Sequence, residues 1–65
     1  MKIVVITVSD RAFRGEYADR SGPAVADEIQ RVLPDSDVQV EIVPDGLDTV
    51  REAFLRHPEA DWIFT

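Results

Sequence analysis

Ile3-Val4-Val5-Ile6-Thr7-Val8 is the stretch that decides the fold. It is a short, β-branched, nearly continuous apolar run, the pattern of a strand buried on both faces of a parallel sheet. Downstream, Ser9 to Ser21 supplies thirteen polar, charged and glycine-containing residues. That is long for a strand-to-helix connection, where about 2 to 6 residues is usual, and an overlong loop in a compact domain is commonly functional or disordered. Ser21 then suits an N-cap, Pro23 suits the first turn, and Val25, Ile29, Val32 and Leu33 recur at helical spacing. The helix is expected to end at or before Pro34.

Asp35 to Asp37 turn the chain, after which Val38, Val40 and Ile42 alternate with Gln39 and Glu41, the period of a strand with one wetter face near a sheet edge. Pro44-Asp45-Gly46 is a break, and Leu47, Val50, Phe54 and Leu55 repeat as a second amphipathic helix closed by His57-Pro58. Trp62, Ile63 and Phe64 begin a third strand. The order βαβαβ implies an α/β fold, a three-layer sandwich around a mostly parallel, Rossmann-like sheet with right-handed crossovers. The first strand, being the most uniformly apolar, is expected in the centre with the other two on either side. Val4 and Ile6 should then be almost fully buried, and Val38 or Val40 more exposed. Phe54, Trp62 and Phe64 read as core, because each sits in a periodic or continuous apolar segment.

Sixty-five residues allow one compact unit, and a chain of that size buries only about 60% of its unfolded surface. It has no cysteine for a disulfide and no Cys/His cluster for a structural metal. Residues 1–65 therefore read as the amino-terminal part of a single larger domain, ending after the third strand. Thirteen acidic against seven basic residues give a formal charge of −6, which argues against nonspecific attraction to nucleic acid or anionic membrane. The longest apolar run is too short to span a bilayer and the start lacks signal-peptide architecture, so the cytoplasm is the expected compartment.

Because parallel strands all point the same way, Ser9 to Ser21, Pro44 to Gly46 and Thr65 share one sheet edge, the edge where open α/β sheets bind ligands. Ser9, Asp10, Arg11 and Asp45 meet there from distant parts of the chain. Arg11, Arg14 and Arg20 offer guanidinium forks to phosphate oxygens. The same loop carries Asp10, Glu16 and Asp19, so the competing reading is a solvated loop with internal ion pairs. The helix start at Gly22-Pro23 offers backbone N–H groups to an anion. Asp45 has two readings, a helix cap or a carboxylate for Mg²⁺, which takes one or two carboxylates and completes its shell with water and substrate phosphates. Tyr17 is a candidate ligand contact. His57 suits the negative end of a helix dipole and receives no catalytic role. A generic dinucleotide-binding unit is disfavoured, since the loop after the first strand has only Gly15 and Gly22 and no G-x-G-x-x-G.

Thr7-Val8-Ser9-Asp10-Arg11, then Gly15, then Asp19-Arg20-Ser21-Gly22-Pro23, and finally Val43-Pro44-Asp45 together resemble the start of the molybdenum-cofactor biosynthesis domain of the MogA/MoaB type. Order and spacing agree across the whole chain. The resemblance implies adenylyl transfer: the terminal phosphate of molybdopterin attacks the α-phosphate of ATP, with Mg²⁺ present, and pyrophosphate leaves. It implies pterin-phosphate and nucleotide contacts at Ser9, Asp10, Arg11, Asp19, Ser21 and Gly22, and a catalytic, metal-associated carboxylate at Asp45. Thr65 looks like the threonine that introduces the family's Thr-Gly-Gly-Thr-Gly phosphate loop. Relatives form trimers and hand their product to a molybdenum-insertion step. Gly46 departs from the pattern, standing where relatives usually carry a second acidic or polar residue. The alternative within the same resemblance is a non-catalytic molybdopterin- or nucleotide-binding domain, as in scaffold or competence-type proteins.

Overall fold

In the computed structural model, which describes residues 1–65, the opening apolar run becomes β1 (Lys2–Val8). It is followed by α1 (Asp10–Phe13), α2 (Ser21–Val32), β2 (Asp37–Val43), α3 (Leu47–Leu55) and β3 (Trp62–Phe64). The three strands form one parallel sheet in the order β2-β1-β3, so β1 is central as its composition required. Ile3, Val4, Val5 and Ile6 are all buried, with Val4 at 0% exposure, whereas Val40 on the flanking strand is 37% exposed. β1 pairs with β2 from Lys2 opposite Asp37 to Val8 opposite Val43, and with β3 from Ile3 opposite Trp62 to Val5 opposite Phe64.

The pleat sends alternate residues of β1 to opposite layers. Val4 and Ile6 form the core with Val43 and with Ala53 of α3, and Val8, Val50, Ala60 and Ile63 pack against it. On the other face α2 lies across β1 and β2. It comes so near that a Cβ on Gly22 would stand 2.7 Å from Val40 and 2.8 Å from Thr7, so any larger residue would force those side chains to shift. The result is the three-layer α/β arrangement that the order of elements implied.

Several local expectations are corrected. The segment after β1 is not one long loop, because α1 forms at once, with Ser9 as its N-cap and Ala12 buried beneath it. Four residues are too few for any hydrophobic period to show. The N-cap of α2 is Arg20 rather than Ser21, which is the first helical residue. The helices bury less than their apolar stripes promised: α2 buries Gly22 and half-buries Ala26 and Ile29 on the same face as Val25, Val32 and Leu33, which stay exposed, and α3 packs through Val50 and Ala53 while Leu47 is 87% exposed. Small residues permit the closest approach to the sheet, and in α3 the buried line through Val50 and Ala53 is turned away from Leu47 and Leu55. Phe54, Trp62 and Phe64 are not core. Trp62 is 58% exposed and stacks on Phe64 with ring centroids 6.4 Å apart, and only Ile63 of β3 turns inward.

Candidate active site

The site grows from the carboxyl ends of β1 and β2. The ladder between them runs one rung past the sheet, where Ser9 N–H donates to the Val43 carbonyl at 2.9 Å. The chain then turns into α1. Phe13 N–H donates to the Ser9 carbonyl at 3.0 Å, and the Ser9 hydroxyl accepts from Ala12 N–H at 3.3 Å. The same hydroxyl lies 2.8 Å from the Tyr17 hydroxyl, and the Arg11 guanidinium stands 5.4 Å from the centre of the Tyr17 ring, within cation–π range. Ser9, Arg11 and Tyr17 are thus one cluster.

Asp19 organises the start of α2. One carboxylate oxygen accepts from the Thr7 hydroxyl at 2.9 Å and the other from Gly22 N–H at 3.3 Å. The carboxylate, two residues upstream of Ser21, therefore supplies the cap and occupies the positive end of the helix dipole. This corrects the picture of an open anion site at Gly22-Pro23: Gly22 N–H is taken, Pro23 has none, and Ala24 N–H is bonded to the Arg20 carbonyl. Ser21 N–H remains. Of the arginines in this segment, Arg14 pairs with Glu16 at 2.6 Å on the surface, while Arg11 and Arg20 form no ion pair. The internal-ion-pair reading holds for Arg14 alone.

Two adjoining cavities open at this edge. One, of about 500 Å³, is lined by Thr7, Ser9, Tyr17, Asp19, Arg20 and Ser21 among others, and the second, of about 400 Å³, by Thr7, Ser21, Gly22, Val25 and Thr65 among others. Their shared walls, Thr7, Val8 and Ser21, make them two lobes of one cleft.

Asp45 is exposed at the exit of β2 and lines neither lobe. Its backbone N–H donates to an Asp10 carboxylate oxygen at 2.9 Å, and its own carboxylate has no hydrogen-bond partner in the protein. It does not cap α3. The N-cap is Gly46, without a side-chain cap bond, and the turn is held by the Thr49 hydroxyl, 2.7 Å from the Pro44 carbonyl and 2.9 Å from that of Gly46. Gly46 has φ +152°, a region that L side chains rarely adopt, which gives the glycine at this unusual position a conformational reason. No group of three or more acidic, His or Cys residues is poised to hold a metal. A single unengaged carboxylate is the donor set that suits Mg²⁺ bound together with substrate phosphates rather than in a protein cage.

The family model described as "Probable molybdopterin binding domain" matches residues 4–65. The chain belongs to this molybdopterin-binding domain family. Neither the curated proteins nor the solved structures give a match. Membership connects the chain with molybdenum cofactor biosynthesis, as the motifs from Thr7 to Asp45 implied.

Within this molybdopterin-binding domain, the residues singled out by sequence fall into two connected groups. Ser9, Asp19, Ser21, Gly22 and Thr65 frame the cleft, and Arg11 joins them through Tyr17. Asp10 and Asp45 are bonded to each other beside it. Sequence reasoning missed Thr7, whose hydroxyl holds Asp19. The available signal was a polar residue on the α2-facing side of β1, in register with Ile3 and Val5. It also missed Glu41 and His57, which meet at 2.9 Å on the α3 side of the sheet. No helix in the chain is long and apolar enough to cross a membrane.

Proposed function

We propose that this molybdopterin-binding domain serves the ATP- and Mg²⁺-dependent adenylylation of molybdopterin, with release of pyrophosphate. In that reaction an oxygen of the pterin's terminal phosphate forms a bond to the α-phosphorus of ATP, and the bond from that phosphorus to the β-phosphate bridging oxygen breaks. Such a transfer requires placement of two anionic groups in line and donors aimed at their oxygens more than it requires covalent help from the protein. The observation that carries the reading is the unengaged Asp45 carboxylate beside a polar cleft at the carboxyl edge of the sheet. Lobes of about 400 and 500 Å³ are of the size that takes small cofactors and nucleotides.

In this assignment Arg11 and Arg20, free of ion pairs, meet phosphate oxygens, with the Ser21 N–H and the Ser9 and Ser21 hydroxyls as further donors. Asp19 sets the helix start that carries Ser21 and Gly22, and Thr65 closes the adjoining lobe. Asp45 would hold Mg²⁺, which neutralises charge on the phosphates. The assignment extends to a homotrimeric protein acting in the cytoplasm ahead of molybdenum insertion. Incubating the intact protein with molybdopterin, ATP and Mg²⁺ tests it: adenylylated pterin and pyrophosphate should appear together. Stoichiometric pterin binding without product would leave a binding domain in place of an enzyme.

A further inference from the structure

The ladder between β1 and β2 contains a substitution that gives Asp10 a role of its own. With Val8 opposite Val43, Ser9 lies opposite Pro44, and Ser9 N–H makes the rung to the Val43 carbonyl at 2.9 Å. In a parallel pair the next rung would run from Asp45 N–H back to the Ser9 carbonyl. That carbonyl has turned away to open α1, accepting from Phe13 N–H at 3.0 Å. The donor left over is the backbone N–H of Asp45, and the Asp10 carboxylate takes it at 2.9 Å across 35 residues of chain. A side chain thus replaces a main-chain acceptor one residue after the sheet ends.

We infer that Asp10 is a positioning residue for Asp45: its carboxylate, standing in for the Ser9 carbonyl, extends the parallel ladder by one rung and fixes the backbone from which the Asp45 carboxylate projects. This rests on the role proposed above for Asp45 and replaces the substrate contact that family resemblance implies for Asp10. The need is local. Gly46, directly after Asp45, has φ +152° and α3 begins without a side-chain cap, so the Asp45 peptide has no helix to hold it. The rung requires an acceptor oxygen in the right place, whereas a direct contact with Mg²⁺ or with a substrate cation would require the negative charge. Asp10→Asn and Asp10→Ala separate the two demands.

The experiment compares both variants in the intact protein by steady-state adenylylation and by hydrogen exchange at the Asp45 amide. Asp10→Asn should keep turnover within about threefold of the parent, while Asp10→Ala should lower kcat by about tenfold with little change in KM for ATP, as loss of one hydrogen-bond acceptor predicts. The Asp45 amide should exchange about tenfold faster in Asp10→Ala and remain protected in Asp10→Asn. An Asn variant as slow as the Ala variant would overturn the inference in favour of charge, and so would an Asp45 amide already unprotected in the parent. The exchange measurement reads the contact even in a protein that does not adenylylate. Should Asp45→Asn itself turn over normally, the assignment of Asp45 fails while the rung is still judged on amide protection.

Discussion

At the scale of single residues, capping and catalysis make opposite demands on Asp45, and the geometry removes one of them. Its carboxylate bonds nothing in the protein and α3 starts from Gly46. Asp45→Asn in the intact protein should therefore melt within about 0.5 kcal/mol of the parent, as surface substitutions away from special features do. Adenylylation should fall about a hundredfold or more, the scale of losing a preorganised electrostatic group. Unchanged melting with unchanged turnover would return Asp45 to the surface. Gly22 is the second test. A Cβ there meets Asp19 Oδ2 at 2.5 Å, Val40 Cγ1 at 2.7 Å and Thr7 Oγ1 at 2.8 Å, an overpacking that costs about 1–3 kcal/mol. The better helix propensity of alanine returns at most about 1 kcal/mol. Gly22→Ala should accordingly lower Tm by several degrees and weaken pterin binding, because the group pushed aside is the Asp19 carboxylate that caps α2. The motifs disclosed which residues gather at this edge. They did not disclose that Asp19, Ser9 and Asp10 spend their side chains on protein hydrogen bonds, since those bonds depend on how α1 and α2 enter the sheet.

Between elements, the strongest polar junction lies away from the cleft and fastens α3 and the turn after it to β2. Glu41 lies opposite Ile6 in the sheet register. It receives the Arg56 guanidinium at 2.8 Å and faces His57 Nε2 at 2.9 Å, with the His57 side chain only 9% exposed. Beyond it, His57 Nδ1 is 3.8 Å from Glu59, which pairs with Lys2 at 2.8 Å. Burial acts to raise the Glu41 pKa, but the hydrogen bonds from His57 and Arg56 outweigh it and hold the carboxyl below the ordinary glutamate range. A folded-state value below the unfolded one stabilises the protein above the unfolded value, about 4.3, and that contribution fades as pH falls through the folded value. Acid melts should show this loss in the parent below about pH 4.5 and a smaller one in Glu41→Gln. Glu41→Ala at neutral pH should cost about 2 kcal/mol, since it leaves a buried imidazole without its partner. The alternation of β2 marked Gln39 and Glu41 as the wetter face, but Glu41 is half-buried on the side that α3 covers while Val40 on the opposite face is exposed, because the partner of Glu41 lies 16 residues on. Strands and long helices were legible from their periods. The rotation of α3 was not, because the residue it buries fully is Ala53, which carries almost no hydrophobic signal.

At the scale of the whole molecule, the Cα positions span 32 × 25 × 12 Å, a slab rather than a sphere, and 9 of 65 residues are buried. So small a core cannot offset the ordering entropy by much, since crude accounting for chains of this size comes out near zero. A groove of about 300 Å³ between α2 and β3, walled by Ile29, Val32, Leu33, Trp62 and Phe64, remains open to solvent, and β3 leaves its outer edge unpaired within the chain. The 65-residue chain should self-associate or exchange its amides rapidly, because exposed apolar edges recruit other chains. Sedimentation and hydrogen exchange would read this, and a protected monomer would contradict it. The same central position of β1 that makes the fold legible also imposes a delay. Lys2 N–H donates to the Asp61 carboxylate at 2.7 Å, and Asp61 N–H returns a bond to the Lys2 carbonyl at 2.8 Å, so the opening strand closes on residues 59 positions later. At a synthesis rate of about 5–20 residues per second, β1 waits about 3–12 s for β3 after it is made, with the ladder edge that β3 takes left unpaired in the meantime.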